Sequence, residues 1–470
     1  MSASVAAAPR ASVASSTPVA RSVRFRTLLA AIVVVVFFIP IKRYTLPASL
    51  PVNLEPYRLM IALVACAWFT ALMVDRRLRL RATGVGAPLV ALLLACVVSI
   101  AVNAATLQGS GLTSLSIKAL TFLLSFCILF IFAVNVLRTR EDIDYLIRII
   151  VFCGAVIALE VLIEYRTGHN LFNDVGQLLP FLHKVPLTSL GLDPTELARE
   201  GSLRAYGSAE DPIECSAFLV MLVPLALYLY QTDRRRRWLV ASILLVAGVF
   251  ATLSRTGVLM LATVAVVYVL YRPRSAMRAM PAVLPLLVAV FFAAPHTLGS
   301  IYSEFFPKGG IVAQQSQAGS PNQQVGQGDN RLDRVGPDLK LWTKRPFFGE
   351  GFGSRDPNPN DAAANHVKLS GQTDDQWLDS LLETGLLGVL ALIWLFFRTS
   401  RRLKRVIRAD TGADGWLALA LLAAVDAFMI GMFTFDALGF VEVTIALFLV
   451  LALAASLVNV RADPDAVARP

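Results

Sequence analysis

Apolar residues run along this chain in blocks of roughly 16–23, long enough to cross about 30 Å of hydrocarbon as helices. The pattern predicts twelve spans, near 27–41, 55–74, 84–103, 117–137, 144–163, 214–231, 238–254, 257–271, 281–296, 376–397, 416–433 and 438–458. Basic clusters between them set the orientation. Arg76, Arg77, Arg79 and Arg81 follow the second span, and Arg138 and Arg140 the fourth. Arg234 to Arg237 follow the sixth, Arg272, Arg274 and Arg278 the eighth, and Arg398 to Arg408 the tenth. Each cluster follows an even-numbered span; the pair Lys42-Arg43, after the first, is the exception. Positive residues favour the cytoplasmic side, so both termini are expected inside and the odd-to-even loops outside.

The expected organisation is a disordered cytoplasmic tail (1–26), N-terminal membrane helices (27–163), a first external loop (164–213), central membrane helices (214–296), a second external loop (297–375), C-terminal membrane helices (376–458) and a cytoplasmic tail (459–470). The first apolar block lacks a small-residue cleavage site and reads as a retained helix. The first long loop holds an apolar, Pro-interrupted stretch, Leu171 to Val185, suited to the membrane surface. The second opens on a Gln/Ser/Gly-rich tract, Gln314 to Gly328, and then predicts a short helix from Arg331 to Trp342, before Pro346. No internal repeat of the transporter kind is visible.

Composition agrees. Of 470 residues, 56% are hydrophobic and only 16% charged, against about 25% charged in a soluble protein. The fold class is all-α, a polytopic membrane helical bundle. The net charge of +10 resides in the loop clusters, with no aromatic-interleaved basic surface of the kind that binds nucleic acid. Cys66, Cys96, Cys127, Cys153 and Cys215 form no CxxC pair and read as small buried hydrophobes.

Against this background Arg255 stands out. It lies in Ser254-Arg255-Thr256-Gly257, inside an apolar run, with no carboxylate within a helical turn in sequence. An arginine at bilayer depth costs roughly 2.5–3.5 kcal/mol on insertion scales and is tolerated facing water or a partner. The expected partner is an anion, and a phosphorylated lipid fits. The motif is expected in the external turn between two helices, with Gly257 easing the bend.

Three further candidate sites fall on the same side. They are Arg204-Ala205-Tyr206-Gly207 with Glu210-Asp211-Pro212; Arg331 with Arg334, one helical turn apart; and Asp374-Asp375-Gln376-Trp377-Leu378, followed by Asp379 and Glu383. Arginine suits diphosphate recognition through its planar, permanently charged fork. Blander roles stand beside these: headgroup binding for Arg255, a loop charge for Arg204, a solvated helix face for Arg331 and Arg334, and helix capping for Asp374 and Asp375. His169, His183, His296 and His366 show no ligand spacing, so neither a metal nor a cofactor is expected. Glu160 and Asp426, inside spans, read as structural hydrogen-bonding groups.

These residues together resemble the O-antigen ligase and O-antigen polymerase superfamily of bacterial envelope enzymes, over about Arg204 to Phe396. The resemblance rests on Arg204, Gly207 and Pro212 ahead of a helix; the Ser-Arg-Thr-Gly turn; Arg331, fifteen residues before Pro346-Phe347-Phe348-Gly349-Glu350-Gly351-Phe352-Gly353; and Asp374-Asp375-Gln376-Trp377-Leu378 with Glu383-Thr384-Gly385-Leu386-Leu387-Gly388. The position of the ligases' histidine holds Asp374, which is closer to polymerase-like members with an Asp-Asn start, although the second residue here is Asp375.

The resemblance implies a GT-C-like bundle at the bacterial plasma membrane. It implies metal-independent transfer of a glycan from a polyprenyl-diphosphate donor to a glycan or lipid-glycan acceptor at the external face. Arg255 and Arg331 would hold the diphosphate, with Arg204 and Arg334 in support. Asp374 would be the base, with Asp375 the alternative, and Glu383 and Trp377 would lie against substrate. The bilayer and envelope polysaccharide assembly proteins are the implied partners. Two other classes fit the composition, a twelve-span secondary transporter and a non-catalytic envelope scaffold. The external position of the long loops and the missing repeat weigh against the first. Intolerance of Arg255→Ala would weigh against both.

Overall fold

The computed structural model describes residues 19–47, 55–74, 80–185, 198–199, 202–279, 288, 331–355 and 375–462. The ninth predicted span, most of both long loops, the tails and Asp374 lie outside these residues.

The fold is a helical bundle. Its main helices among the described residues are α1 (Val19–Phe38), α2 (Pro56–Val74), α3 (Gly86–Val102), α4 (Ala104–Gly109), α5 (Thr113–Val136), α6 (Arg140–Thr167), α7 (Pro212–Asp233), α8 (Arg236–Ala251), α9 (Arg255–Tyr271), α10 (Arg331–Trp342), α11 (Gln376–Ala409), α12 (Ala413–Gly431) and α13 (Val441–Ala462). Seven of them, α2, α5, α6, α7, α11, α12 and α13, are long and apolar enough to cross a membrane. Phe25–Phe38, α3 and α9 are shorter apolar helices. The chain is thus a multi-pass membrane protein, with helices at the predicted spans that fall within the described residues and at α10.

Position in the bundle follows composition. A helix apolar on all sides belongs inside other helices. The apolar window of α13 is 94% buried, whereas that of α2 is 17% buried, so α13 is a central column and α2 a peripheral one. α7 and α12 are also central, packing against α8, α9 and each other.

Ion pairs tie the two ends of the bundle differently. At one end Arg140 meets Asp414 at 2.7 Å, and Arg461 meets Asp410 and Asp414 at 2.9 and 3.0 Å, joining α6, α12 and α13. At the other end the Lys42-Arg43 pair is engaged. Lys42 meets Glu210 at 2.7 Å. Strand β1 (Tyr44–Thr45) pairs antiparallel with β2 (His183–Lys184), so part of the apolar stretch Leu171–Val185 is anchored to the end of α1.

Two local expectations need correction. The bend between α8 and α9 is made at Leu253, φ 52°, with Ser254 capping α9, not at Gly257. Gly257 lies inside α9, where an added Cβ would sit 2.8 Å from Ser216 Cβ and Val249 Cγ1, so its role is close helix packing. The tenth span is not one helix from 376 to 397. Gly385 (φ 65°, ψ −164°) breaks it into a short helix and a long one that continues to Ala409.

Candidate functional site

The break at Gly385 builds the site. A broken helix leaves backbone groups without partners along its own axis. Here the loop Arg345–Arg355 supplies them: Leu386 N–H donates to Pro346 O at 2.9 Å, Glu350 N–H to Leu382 O at 2.8 Å, and Gly351 N–H to Glu383 O at 3.1 Å. Such contact requires bare backbone on both sides. A Cβ on Gly385 would overlap the Phe347 backbone, and one on Gly349 would overlap Glu383. The Pro-Phe-Phe-Gly-Glu-Gly-Phe-Gly stretch is therefore a clamp on the broken helix. Ser99 of α3 donates to Glu383 O at 2.6 Å and closes the third side.

Beside the clamp lies a cavity. Its lining includes the charged residues Lys42, Lys118, Arg355, Asp379, Glu383 and Asp436 and the apolar residues Leu92, Cys96, Phe122, Leu123, Phe126 and Leu392. The charged residues come from five separate parts of the chain, and these apolar ones from α3, α5 and α11. The enclosed space, about 100 Å³, is sized for a small polar group rather than a whole glycan. Glu383 is buried, and its Oε1 accepts from Arg355 N–H at 3.2 Å. The Arg355 guanidinium is also buried, 3.4 Å from Asp338 and 3.8 Å from Asp379. A lining that combines charged and apolar side chains suits an amphiphile whose head is ionic.

Of the sequence-predicted residues assigned a role in the reaction and with described side chains, Glu383 lines this cavity and the others do not. Asp375 caps α11, its Oδ1 accepting from Trp377 N–H at 2.9 Å and Leu378 N–H at 3.2 Å. Trp377 packs against Phe396 and Phe433 and donates its indole N–H to Met429 O at 3.2 Å. Arg255, partly buried, opens α9; its neighbour Thr256 bonds Thr434 at 2.9 Å, two residues before the cavity's Asp436. Arg331 and Arg334 lie in the first turn of α10, at a spacing that places them on one helix face. Asp374 lies outside the described residues. Glu160 accepts from Leu171 N–H, and Asp426 from Ser400 Oγ, as structural groups.

Arg204, half-buried, sits in a turn held from all sides. Glu164 accepts from Tyr206 N–H and Gly207 N–H at 3.1 and 2.9 Å. Arg43, 1% exposed, donates to Gly207 O and Ala209 O and stacks 4.5 Å over the Tyr206 ring. Burial raises the Glu210 carboxyl above its usual range, while Lys42 pulls it back. Arg204 Nε has no hydrogen-bond partner among the described residues.

Lys42, Arg43, Lys118, Arg355 and Asp436 were not singled out as site residues. Two signals could have found some of them. Lys42-Arg43 broke the parity of the basic clusters, and Lys118 is a cation at the start of an apolar span. Among the described residues no group of three or more His, Cys, Asp or Glu side chains is placed to hold a metal ion. No curated protein matches the chain. Residues 240–393, about a third of the chain, match the family model described as O-antigen ligase, and this region is similar to that family.

Proposed function

We propose that the chain is a membrane glycosyltransferase of the O-antigen polymerase or ligase type. It moves a glycan from a polyprenyl-diphosphate carrier to a sugar hydroxyl at the external face of a bacterial plasma membrane, through a GT-C-like bundle of twelve spans. The observation that carries this reading is the cavity at the Gly385 break, lined by both charged and apolar side chains. The region similar to the O-antigen ligase family contributes part of that lining, from Arg355 to Glu383.

In the reaction the acceptor hydroxyl gives its proton to a carboxylate. Its oxygen bonds to the anomeric carbon, and the bond from that carbon to the diphosphate oxygen breaks. Negative charge then gathers on the departing diphosphate. Fixed guanidinium groups aimed there stabilise the transition state more than the ground state. Arg255 and Arg331 take this role, with Arg204 and Arg334 in support. Asp374 takes the proton within about 3 Å of the hydroxyl. Asp375 is a weaker choice of base, because its carboxylate is committed to capping α11. Glu383 and Trp377 order the start of α11 beside the sugar. The arginines supply the charge neutralisation a metal would otherwise give, so transfer by the purified enzyme is expected to persist in excess EDTA. Strict dependence on added magnesium or manganese would refute that step.

The test is a deletion strain whose lipid-linked glycans are weighed by mass spectrometry. Accumulated single repeat units identify a polymerase, and complete chains on the carrier a ligase. An unchanged lipid-linked pool refutes glycosyl transfer.

A further inference from the structure

The loop Arg345–Arg355 has two faces. One lines the cavity. The other, from Arg345 to Gly349, faces a separate groove of about 240 Å³ against the end of α3 and α4. Its polar wall is Arg345, Asn103 and Thr106, and its apolar wall Phe347, Phe348 and Val102. We propose that this groove binds the phosphate headgroup of an anionic phospholipid from the surrounding leaflet.

Three observations converge on that ligand. Among the described residues the Arg345 guanidinium is held by neutral partners, Asn103 Oδ1 and Thr106 Oγ1 (3.3 Å), which orient its charge without neutralising it. A planar guanidinium so held offers its remaining N–H groups to phosphate oxygens. The wall is also built in advance of any ligand. Pro346 O accepts from Leu386 N–H at 2.9 Å and from the Trp342 indole N–H at 3.0 Å, and Asn103 Nδ2 donates to Gly349 O at 3.0 Å.

The third observation separates a lipid from a soluble anion. Phe347 is 58% exposed at the rim, and Val102 60%. From Val102 the exposed residues Val98, Leu94 and Val90 descend α3 at intervals of four, a single stripe along the helix. An acyl chain lying on that stripe would carry its phosphate to Arg345. A free phosphate has no use for it.

The experiment uses the full chain in detergent, titrated with phosphatidylglycerol or phosphatidylcholine and read by native mass spectrometry. Wild type should retain a tight phosphatidylglycerol. Arg345→Gln should weaken that binding about tenfold, the loss of a charge-assisted contact, and leave phosphatidylcholine unchanged. Thr106 is exposed, so Thr106→Glu keeps the fold even if Arg345→Gln loosens the loop. It sets a carboxylate beside the guanidinium and should weaken phosphatidylglycerol comparably. Val98→Asn should weaken both lipids, because it interrupts the stripe. Unchanged phosphatidylglycerol binding in both Arg345→Gln and Thr106→Glu would overturn the proposal. So would displacement of the lipid by millimolar inorganic phosphate. No donor and no transfer enter the measurement, so its outcome is independent of the reaction proposed above.

Discussion

Single arginines do different work here according to what surrounds them. Arg43 is buried against two carbonyls and a tyrosine ring and serves the turn that carries Arg204. Arg355 is buried between two aspartates and serves the cavity wall. Arg255 stands at the first position of a helix whose partial positive charge adds to its own. Arg255→Lys keeps a charge and loses the fork, so transfer in isolated membranes should fall by at least about 100-fold with the protein still inserted. Arg331→Ala should do the same and Arg334→Ala less, since Arg331 has the register to Pro346. A dead Arg334→Ala beside an active Arg331→Ala would invert that register. The two aspartates separate capping from chemistry. Asparagine caps a helix about as well as aspartate but takes no proton. Asp375→Asn should leave turnover and thermal stability near wild type, because the cap bonds to Trp377 and Leu378 survive. Asp374→Asn should keep stability and lose most of the rate. Normal turnover in Asp374→Asn would remove that residue as the base.

At the scale of elements, the broken helix α11 organises the site. Gly385 occupies a region of backbone space that is essentially reserved for glycine, where another residue costs of order 1–3 kcal/mol. Its Cβ would also strike the Phe347 backbone. Gly385→Ala should therefore lower the melting temperature and abolish transfer together. Gly336→Ala, in α10 with nothing near its Cβ, should be silent or slightly stabilising. Equal melting temperatures for the two variants would show that the break does not hold the clamp. The sequence announces the helices because apolar length and flanking charge are local signals, and Arg331–Trp342 emerges with the bounds read from it. The break is not announced. A glycine within an apolar helical run usually continues the helix, and what breaks this one is a loop thirty-five residues earlier in the chain. The same reason hid the cavity. Lys42, Lys118, Arg355 and Asp436 are isolated charges in four parts of the sequence, and packing alone brings them to one cavity. Glu383 was legible because it sits in a dense motif.

For the molecule as a whole, the two ends of the bundle carry different electrostatics. One end joins Arg140 and Arg461 to Asp410 and Asp414. The backbone hydrogen bond at Gly412 and Arg461 hold the Asp410 carboxyl below its usual range, so Asp410 stays ionised through the neutral region. The other end carries the cavity, the clamp, and the buried glutamates around Arg43. Positive charge favours retention on the cytoplasmic side during insertion, so the first end is proposed to be cytoplasmic and the cavity external. Lys42 and Arg43 do not contradict this, since both are engaged by partners at the cavity end. The prediction is one of accessibility. Among the five native cysteines Cys66 is the exposed one, so it is first replaced. Cysteines are then placed one at a time at Ser320 and Gly371 in the second long loop, and at Ala276 in the short helix Pro273–Ala279 beside Arg272. In intact cells an impermeant thiol reagent should label Ser320→Cys and Gly371→Cys and spare Ala276→Cys. All three should react once the membrane is opened, which controls for burial. Labelling of Ala276→Cys in intact cells would turn the bundle over and place the cavity on the cytoplasmic side, where glycans already exported on their carrier could not reach it.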